Sequence, residues 1–209
     1  MKNGFLIALE GIDGSGKSTQ ATLLKLRLER MDLVTEIVKA KEASQNHAFS
    51  SFTSAFDLRS YSLSYMFAYQ ALHCKQYERT IQALQEGKVV IADRWNTSYF
   101  IYHNQFGELS KRSKRLRREI DNLAFNGLKP TLAFFLDVTV TTAFERRSVR
   151  GDAESFSDKE RNFYEEIRSE YMSLIQEAHW RIIDGEKPIE KIHQEIFASV
   201  SEHVLNGKS

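Results

Sequence analysis

Apolar residues along this chain come in two rhythms that take turns. Short runs dominated by apolar residues, Phe5 to Leu9, Val89 to Ala92, Thr131 to Leu136 and Trp180 to Ile183, have the length and side-chain types of buried strands. Leu33 to Val38 predicts one more. Between the strands, apolar positions recur at helical spacing over 19–30, 61–86, 112–126, 139–149, 157–178 and 188–203. Gly87 stops the longest of these patterns as a C′ residue. Pro130 stands just before a strand and Pro188 near the start of the last helix, both tolerated positions. The stretch 39–56 is polar and small, without a clear period, and reads as a loop leading into a short helix. Strands alternating with helices predict an α/β fold, a central parallel sheet of about five strands flanked by helices, with ligands at the C-terminal strand ends. No linker divides the pattern, so residues 1–209 are expected to form a single domain.

Composition narrows the class. The chain has 209 residues, enough for one substantial core and short for two, with 42% hydrophobic and 27% charged residues, ordinary values for a soluble protein. A net charge of +1 gives no global basic field, so nucleic acid is not an expected partner. Cys74 is the only cysteine, which excludes an intrachain disulfide and a multi-cysteine metal site and fits a reducing compartment. No apolar run is long enough for a membrane span or a signal sequence, and a cytoplasmic protein is expected.

The sharpest chemistry lies after the first strand. Residues 11–18 read Gly-Ile-Asp-Gly-Ser-Gly-Lys-Ser, which fits G-x-x-x-x-G-K-[ST] at every fixed position, between an apolar run and a helical pattern. Strand, glycine loop and helix aim backbone N–H groups and a helix N-terminus at a phosphate chain. Gly11, Gly14 and Gly16 allow backbone angles and close approach that a Cβ forbids. Asp13, Ser15 and Thr19 complete the expected ATP-binding segment, with Lys17 reaching the β- and γ-phosphates and Ser18 ligating Mg²⁺.

Such a loop needs a metal partner, and Asp93 closes the strand 89–92 where a carboxylate can hold Mg²⁺ directly or through water. Asp137 and Asp184 also close strands; Asp137, before Val138-Thr139, reads as a helix cap. Asp93 is favoured because Arg94 follows at once, and a cation there can hold an acceptor phosphate facing the γ-phosphate. Arg146, Arg147 and Arg150 cluster before Gly151-Asp152 and suit a mobile lid over 146–158 that brings positive charge to the transferring group. The competing reading is a solvated helix end whose dipole favours cations. Lys111, Arg112, Lys114, Arg115, Arg117 and Arg118 put six cations in eight residues, read as an exposed helix face beside Glu119 and Asp121. The histidines show no metal-ligand spacing.

These segments together resemble the thymidylate kinases. The resemblance rests on Glu10 to Gln20, on Leu84 to Arg94, on Phe67-Ala68, Ser98 and Tyr102, and on Phe135 to Val138, Phe163 through Tyr171 and Ile183 to Gly185, so it spans essentially the whole chain. It implies an ATP- and Mg²⁺-dependent kinase of the P-loop NTPase fold that converts dTMP to dTDP, and a homodimer paired through the long 61–86 helix. It implies that Asp13 contacts the acceptor sugar, Arg94 its phosphate, Phe67 stacks on the base, Ser98 lies on the base edge and Tyr102 packs against the sugar and disfavours a 2′-hydroxyl. It also implies that the catalytic arginine comes from the lid, since the loop carries Ser15 and no arginine.

Two departures stand out. Lys41-Glu42-Ala43-Ser44 takes the place of an Arg-Glu-Pro-Gly segment, so Lys41 keeps a charge at the substrate but loses the bidentate fork. Four residues after Phe67, where the resemblance implies a base-reading arginine, stands Ala71, with Gln70 and His73 as neighbours on other helix faces. Relaxed base choice follows as an expectation. The alternatives are a related kinase with another monophosphate or a deoxynucleoside as acceptor, or a non-catalytic nucleotide-binding paralogue. Retention of Lys17 and Asp93 speaks against the last, and no Asn-Lys-x-Asp guanine signature is present.

Overall fold

The computed structural model describes residues 4–39, 63–104, 111–152, 156–175 and 179–206. In chain order these form β1 (Phe5–Glu10), α1 (Lys17–Glu29), β2 (Thr35–Val38), α2 (Leu63–Gln85), β3 (Val89–Asp93), α3 (Asn96–Asn104), α4 (Lys114–Phe125), β4 (Leu132–Asp137), α5 (Val140–Val149), α6 (Asp158–Leu174), β5 (Trp180–Asp184) and α7 (Ile189–Asn206). The five strands make one parallel sheet in the order β2-β3-β1-β4-β5, the α/β P-loop arrangement expected. The chain reverses direction of travel across the sheet on either side of β1, and the loop after β1 sits at that switch point, where such sheets bind ligands.

Alternation along the strands divides the core into two faces. Ile7, Leu9, Val89, Ile91 and Phe134 pack with Leu24 and Leu28 of α1 and Ile192, Ile196 and Val200 of α7. Leu6, Ala8, Val90, Ala92 and Ala133 face the other way. Ala92, Ala8 and Ala133 stand in one row across the three central strands. Trp95 and Phe125 fill the room these small residues leave, their rings 4.8 Å apart. A third cluster, with Ile12, Phe135, Phe144, Tyr164, Ile167 and Tyr171, joins α5 and α6 to the sheet.

Most predicted elements are present, with ends moved by a few residues. The loop and short helix expected from residue 39 onward lie outside the described residues beyond Lys39, and α3 is an addition, since the sequence pattern assigns no element to 96–104. Asn, Thr, Ser and the aromatics that compose it are indifferent helix formers. Its N-terminus is satisfied from far away: the Glu10 carboxylate accepts from the backbone N–H of Trp95 at 2.8 Å and of Ser98 at 3.3 Å. At α5, Thr139 is the cap, accepting from Thr142 N. Asp137 instead forms a two-pronged pair with Arg168, at 2.6 and 2.9 Å, which corrects its reading as a cap. A capping box of Ser157 and Glu160 starts α6. The basic run lies at the start of α4, where Arg115 is exposed and pairs with Glu119, as the solvated-face reading expects. No described helix is long and apolar enough to cross a membrane.

Candidate functional site

A cleft of about 550 Å³ opens at the C-terminal ends of β1 and β3. Its first wall is the glycine loop. A Cβ on Gly11 would lie 2.7 Å from the Leu136 carbonyl oxygen, and one on Gly14 would lie 2.3 Å from that of Ala143, so the loop can press against β4 and α5 only as glycine. Gly16 meets no such neighbour; it is required by its left-handed φ of 96° as the N-cap of α1. Lys17 folds back into the loop, donating to the Ile12 carbonyl at 2.8 Å and to Ser15 Oγ at 3.2 Å. Burial, reinforced by nearby Arg94, lowers the Lys17 pKa to about 7.

Asp93 and Ser18 meet across the cleft floor, Ser18 Oγ donating to Asp93 Oδ2 at 2.5 Å. Lys39 Nζ lies 3.1 Å from the same oxygen. Burial pushes the Asp93 pKa up, but Lys17, Ser18 and Lys39 outweigh it and hold the carboxyl below its ordinary value. Asp184, by contrast, accepts from Glu186 N at 3.0 Å in an exposed turn. Of the three strand-end aspartates, only Asp93 lines the cleft. A carboxylate and a hydroxyl converging at a phosphate loop are hard oxygen donors of the kind Mg²⁺ takes beside substrate phosphates.

Arg94 adopts a left-handed backbone, φ 75°, uncommon outside glycine. Its amide donates to the Leu9 carbonyl at 3.0 Å, and its own carbonyl accepts from Gln76 Nε2 at 2.8 Å, so strand and helix hold the turn from both sides. This turn throws the guanidinium into the cleft, where it pairs with Asp13, donates to Ser98 Oγ at 2.9 Å and lies over the Tyr102 ring at 5.4 Å. Burial disfavours the charge, yet Asp13 and its other neighbours hold the Arg94 pKa well above the usual value. Tyr164 completes the group by donating to Asp13 Oδ2 at 3.1 Å.

Beneath Arg94 lies a residue that carried no role in the sequence reading. Glu10 is fully buried and accepts from Ser98 Oγ and, at 3.0 Å, from the Tyr171 hydroxyl, besides capping α3. Burial raises its pKa, partly offset by Arg94. Ser98 therefore lines the cleft with its hydroxyl already engaged by Glu10, Arg94 and Tyr171 (2.6 Å away), which leaves it little freedom to serve a base edge. A glutamate at the end of a hydrophobic strand is the signal that could have marked Glu10.

The other predicted residues divide. Asp13, Gly14, Gly16, Lys17, Ser18, Thr19, Asp93, Arg94, Ser98, Tyr102, Arg147 and Arg150 all line the cleft. Arg147 reaches it from the last turn of α5, stacked on Phe156 at 4.6 Å and Tyr164 at 5.3 Å. Arg150 pairs with Asp152 at 2.7 Å. Arg146 points elsewhere, its Nη2 donating to the Gly185 carbonyl at 2.9 Å. The span 146–158 is thus not one loop: 146–149 belong to α5 and Asp158 opens α6. Lys41 lies outside the described residues. Phe67 is 55% exposed and Ala71 is exposed with it, both outside the cleft lining, because residues four apart share one helix face and this face points to solvent. The residues of α2 that do line the cleft are Tyr69 and His73, joined by Tyr99 of α3. Gln70 turns away and donates to the Ile120 carbonyl of α4 at 3.1 Å.

A family model described as thymidylate kinase matches residues 9–196. The chain is similar to the thymidylate kinase of Fervidobacterium nodosum, 31% identical over 194 residues that cover 91% of this chain and 95% of that protein. It is similar also to the thymidylate kinases of Kosmotoga olearia (30% identical; 91% and 92% covered) and Cupriavidus pinatubonensis (29% identical; 95% and 98% covered).

Proposed function

Since the chain belongs to the thymidylate kinase family and is a phosphotransferase, we propose that it moves the γ-phosphate of ATP onto dTMP, giving dTDP. The observation that carries this reading is the single cleft that joins the glycine loop and Lys17 at one end to Arg94 and a ring of aromatic side chains at the other. Phosphoryl transfer asks the protein for positioning and charge neutralisation more than for covalent chemistry. The loop N–H groups and Lys17 would hold the ATP phosphates. Arg94 would take the acceptor phosphate, releasing Asp13 to the sugar. Arg147 and Arg150 would bring positive charge over the γ-phosphate from the end of α5, and Arg146 would hold that end in place through Gly185. Tyr102, whose hydroxyl is buried with no hydrogen-bond partner among the described residues, would pack against the sugar, and Tyr69 and Tyr99 would bracket the base.

Ser18 and Asp93 would hold Mg²⁺, which supplies charge neutralisation between the ATP phosphates. A homodimer paired through the α2 face that exposes Leu63, Phe67 and Ala71 belongs to the same proposal, and light scattering at micromolar concentration tests it. So does residence in the cytoplasm, where the lone Cys74 stays reduced. The position of Ala71 favours a second reading, in which the acceptor is another nucleotide or a deoxynucleoside. An ATP-consumption screen across nucleosides and nucleoside monophosphates decides: dTMP should be among the best acceptors, and a nucleoside preferred over every monophosphate would overturn the reading.

A further inference from the structure

His73 is 5% exposed, edge-on to Tyr99 at 5.0 Å and tilted against Phe125 at 5.3 Å, and it lines the aromatic end of the cleft. Gln76, almost one turn further along α2, is buried beside it. The amide of Gln76 has a fixed orientation: Nε2 donates to the Arg94 carbonyl, which can only accept. Oε1 is then the atom facing His73 Nδ1, at 3.4 Å. An amide oxygen also only accepts, so Nδ1 carries the imidazole proton. Burial lowers the His73 pKa to about 4, so the ring holds one proton near neutral pH. Nε2 is left as a bare acceptor, with no partner among the described residues, on a side chain that faces the cleft.

A bare acceptor sorts bases by the hydrogen they carry. Thymine and uracil present an N–H at ring position 3; cytosine presents a lone pair there. We propose that His73 is the base-reading residue of this chain, its Nε2 accepting the N3–H of a thymine or uracil acceptor and rejecting cytosine. The proposal rests on the kinase reading above and names the residue that sets its substrate choice. It accounts for how the chain manages with Ala71 on an exposed face and Gln70 committed to α4. The bond does not touch ring position 5, so it treats dTMP and dUMP alike.

The test compares dTMP, N3-methyl-dTMP and dCMP as acceptors for the native protein and for His73→Leu, with the ATP KM as a folding control. The native protein should favour dTMP in kcat/KM by about tenfold or more over each of the others, as one hydrogen bond gained against one left unmade allows. In His73→Leu both ratios should shrink toward one while the ATP KM holds. Ratios that survive the substitution overturn the assignment and leave the kinase reading standing. Turnover of none of the three by the native protein removes the acceptor reading itself, and this proposal with it. A second measurement needs no variant. The ¹⁵N resonance of His73 Nε2 should be that of an unprotonated nitrogen and should move when dTMP binds but not when N3-methyl-dTMP binds. A protonated Nε2, or one indifferent to dTMP, overturns the proposal whatever the variant does.

Discussion

Lys17, Ser18 and the glycines around them come from eight consecutive residues, whereas Tyr69, His73, Tyr99, Tyr102 and Tyr164 at the other end of the cleft come from three separate helices. The loop end is made by backbone conformation and needs little beyond its own sequence and two neighbouring carbonyls. The aromatic end exists only because distant groups hold its helices in place: Glu10 caps α3, Tyr164 meets Asp13, and Gln76 ties α2 to Arg94. A function common to many proteins can travel as a short motif, while recognition of one particular acceptor is spread through the tertiary structure.

If the two ends are separable in this way, damage to one should spare the other. Lys17→Ala should be the deepest single loss, lowering kcat by ~10²–10³-fold, the scale of removing one preorganised electrostatic group. Acceptor binding, followed by calorimetry with dTMP alone, should persist. Equal loss of acceptor binding would show the ends to be one unit. Arg94→Ala attacks the opposite end, removing charge-assisted bonds worth about 1.5–3 kcal/mol each. It should cost tenfold to a hundredfold in kcat/KM for the acceptor, with ATP affinity changed little. Because Asp13 and Glu10 lose their cation, its melting temperature should be measured alongside.

A gentler probe uses pH. The Lys17 pKa lies at about 7 because burial and Arg94 disfavour its charge. A polyphosphate beside it favours the charged form and raises that pKa. At pH 8, ATP binding should therefore take up a proton, seen as a binding enthalpy that varies with the ionisation enthalpy of the buffer. At pH 6 Lys17 is already charged and the uptake from this group should vanish, and its contribution to ATP affinity should weaken as pH rises above 7. dTMP binding, at the other end, should show far less of this. The smallest effect expected is that of Arg146→Ala. Loss of its bond to Gly185 should leave kcat close to native and lower Tm by about 2–4 °C, whereas Arg147→Ala should lower kcat. A kcat loss for Arg146→Ala as large as that for Arg147→Ala would return it to the reacting end.

The same contrast explains what could be read in advance. The β1–loop–α1 unit, the sheet and the pairing of Asp93 with Ser18 were all visible in local patterns. Helix α3 was not, because its cap is a carboxylate 85 residues upstream of Trp95 and its own residues have weak propensity. The phase of α2 was not, because its buried side carries Gln70, His73, Gln76 and Thr80 among the apolar residues, so no clean apolar stripe stands out. Counting from Phe67 therefore followed the solvent face, while Tyr69 and His73 faced the cleft. Asp137 looked like a cap because Arg168, 31 residues away, cannot be seen from Val138 and Thr139. Nothing in the sequence marks Lys39, which opens a polar stretch without a period, and only the fold brings it to Asp93.

One amide, that of Gln76, touches both His73 and the carbonyl of Arg94. The two acts of recognition proposed above, of a ring edge and of a phosphate, would thus share a single fastening. A substitution at position 76 would alter them together, and a shift of α2 that improves one changes the other. If His73 reads the base and Arg94 the phosphate, base preference and phosphate grip would be inherited under mutational drift as one trait.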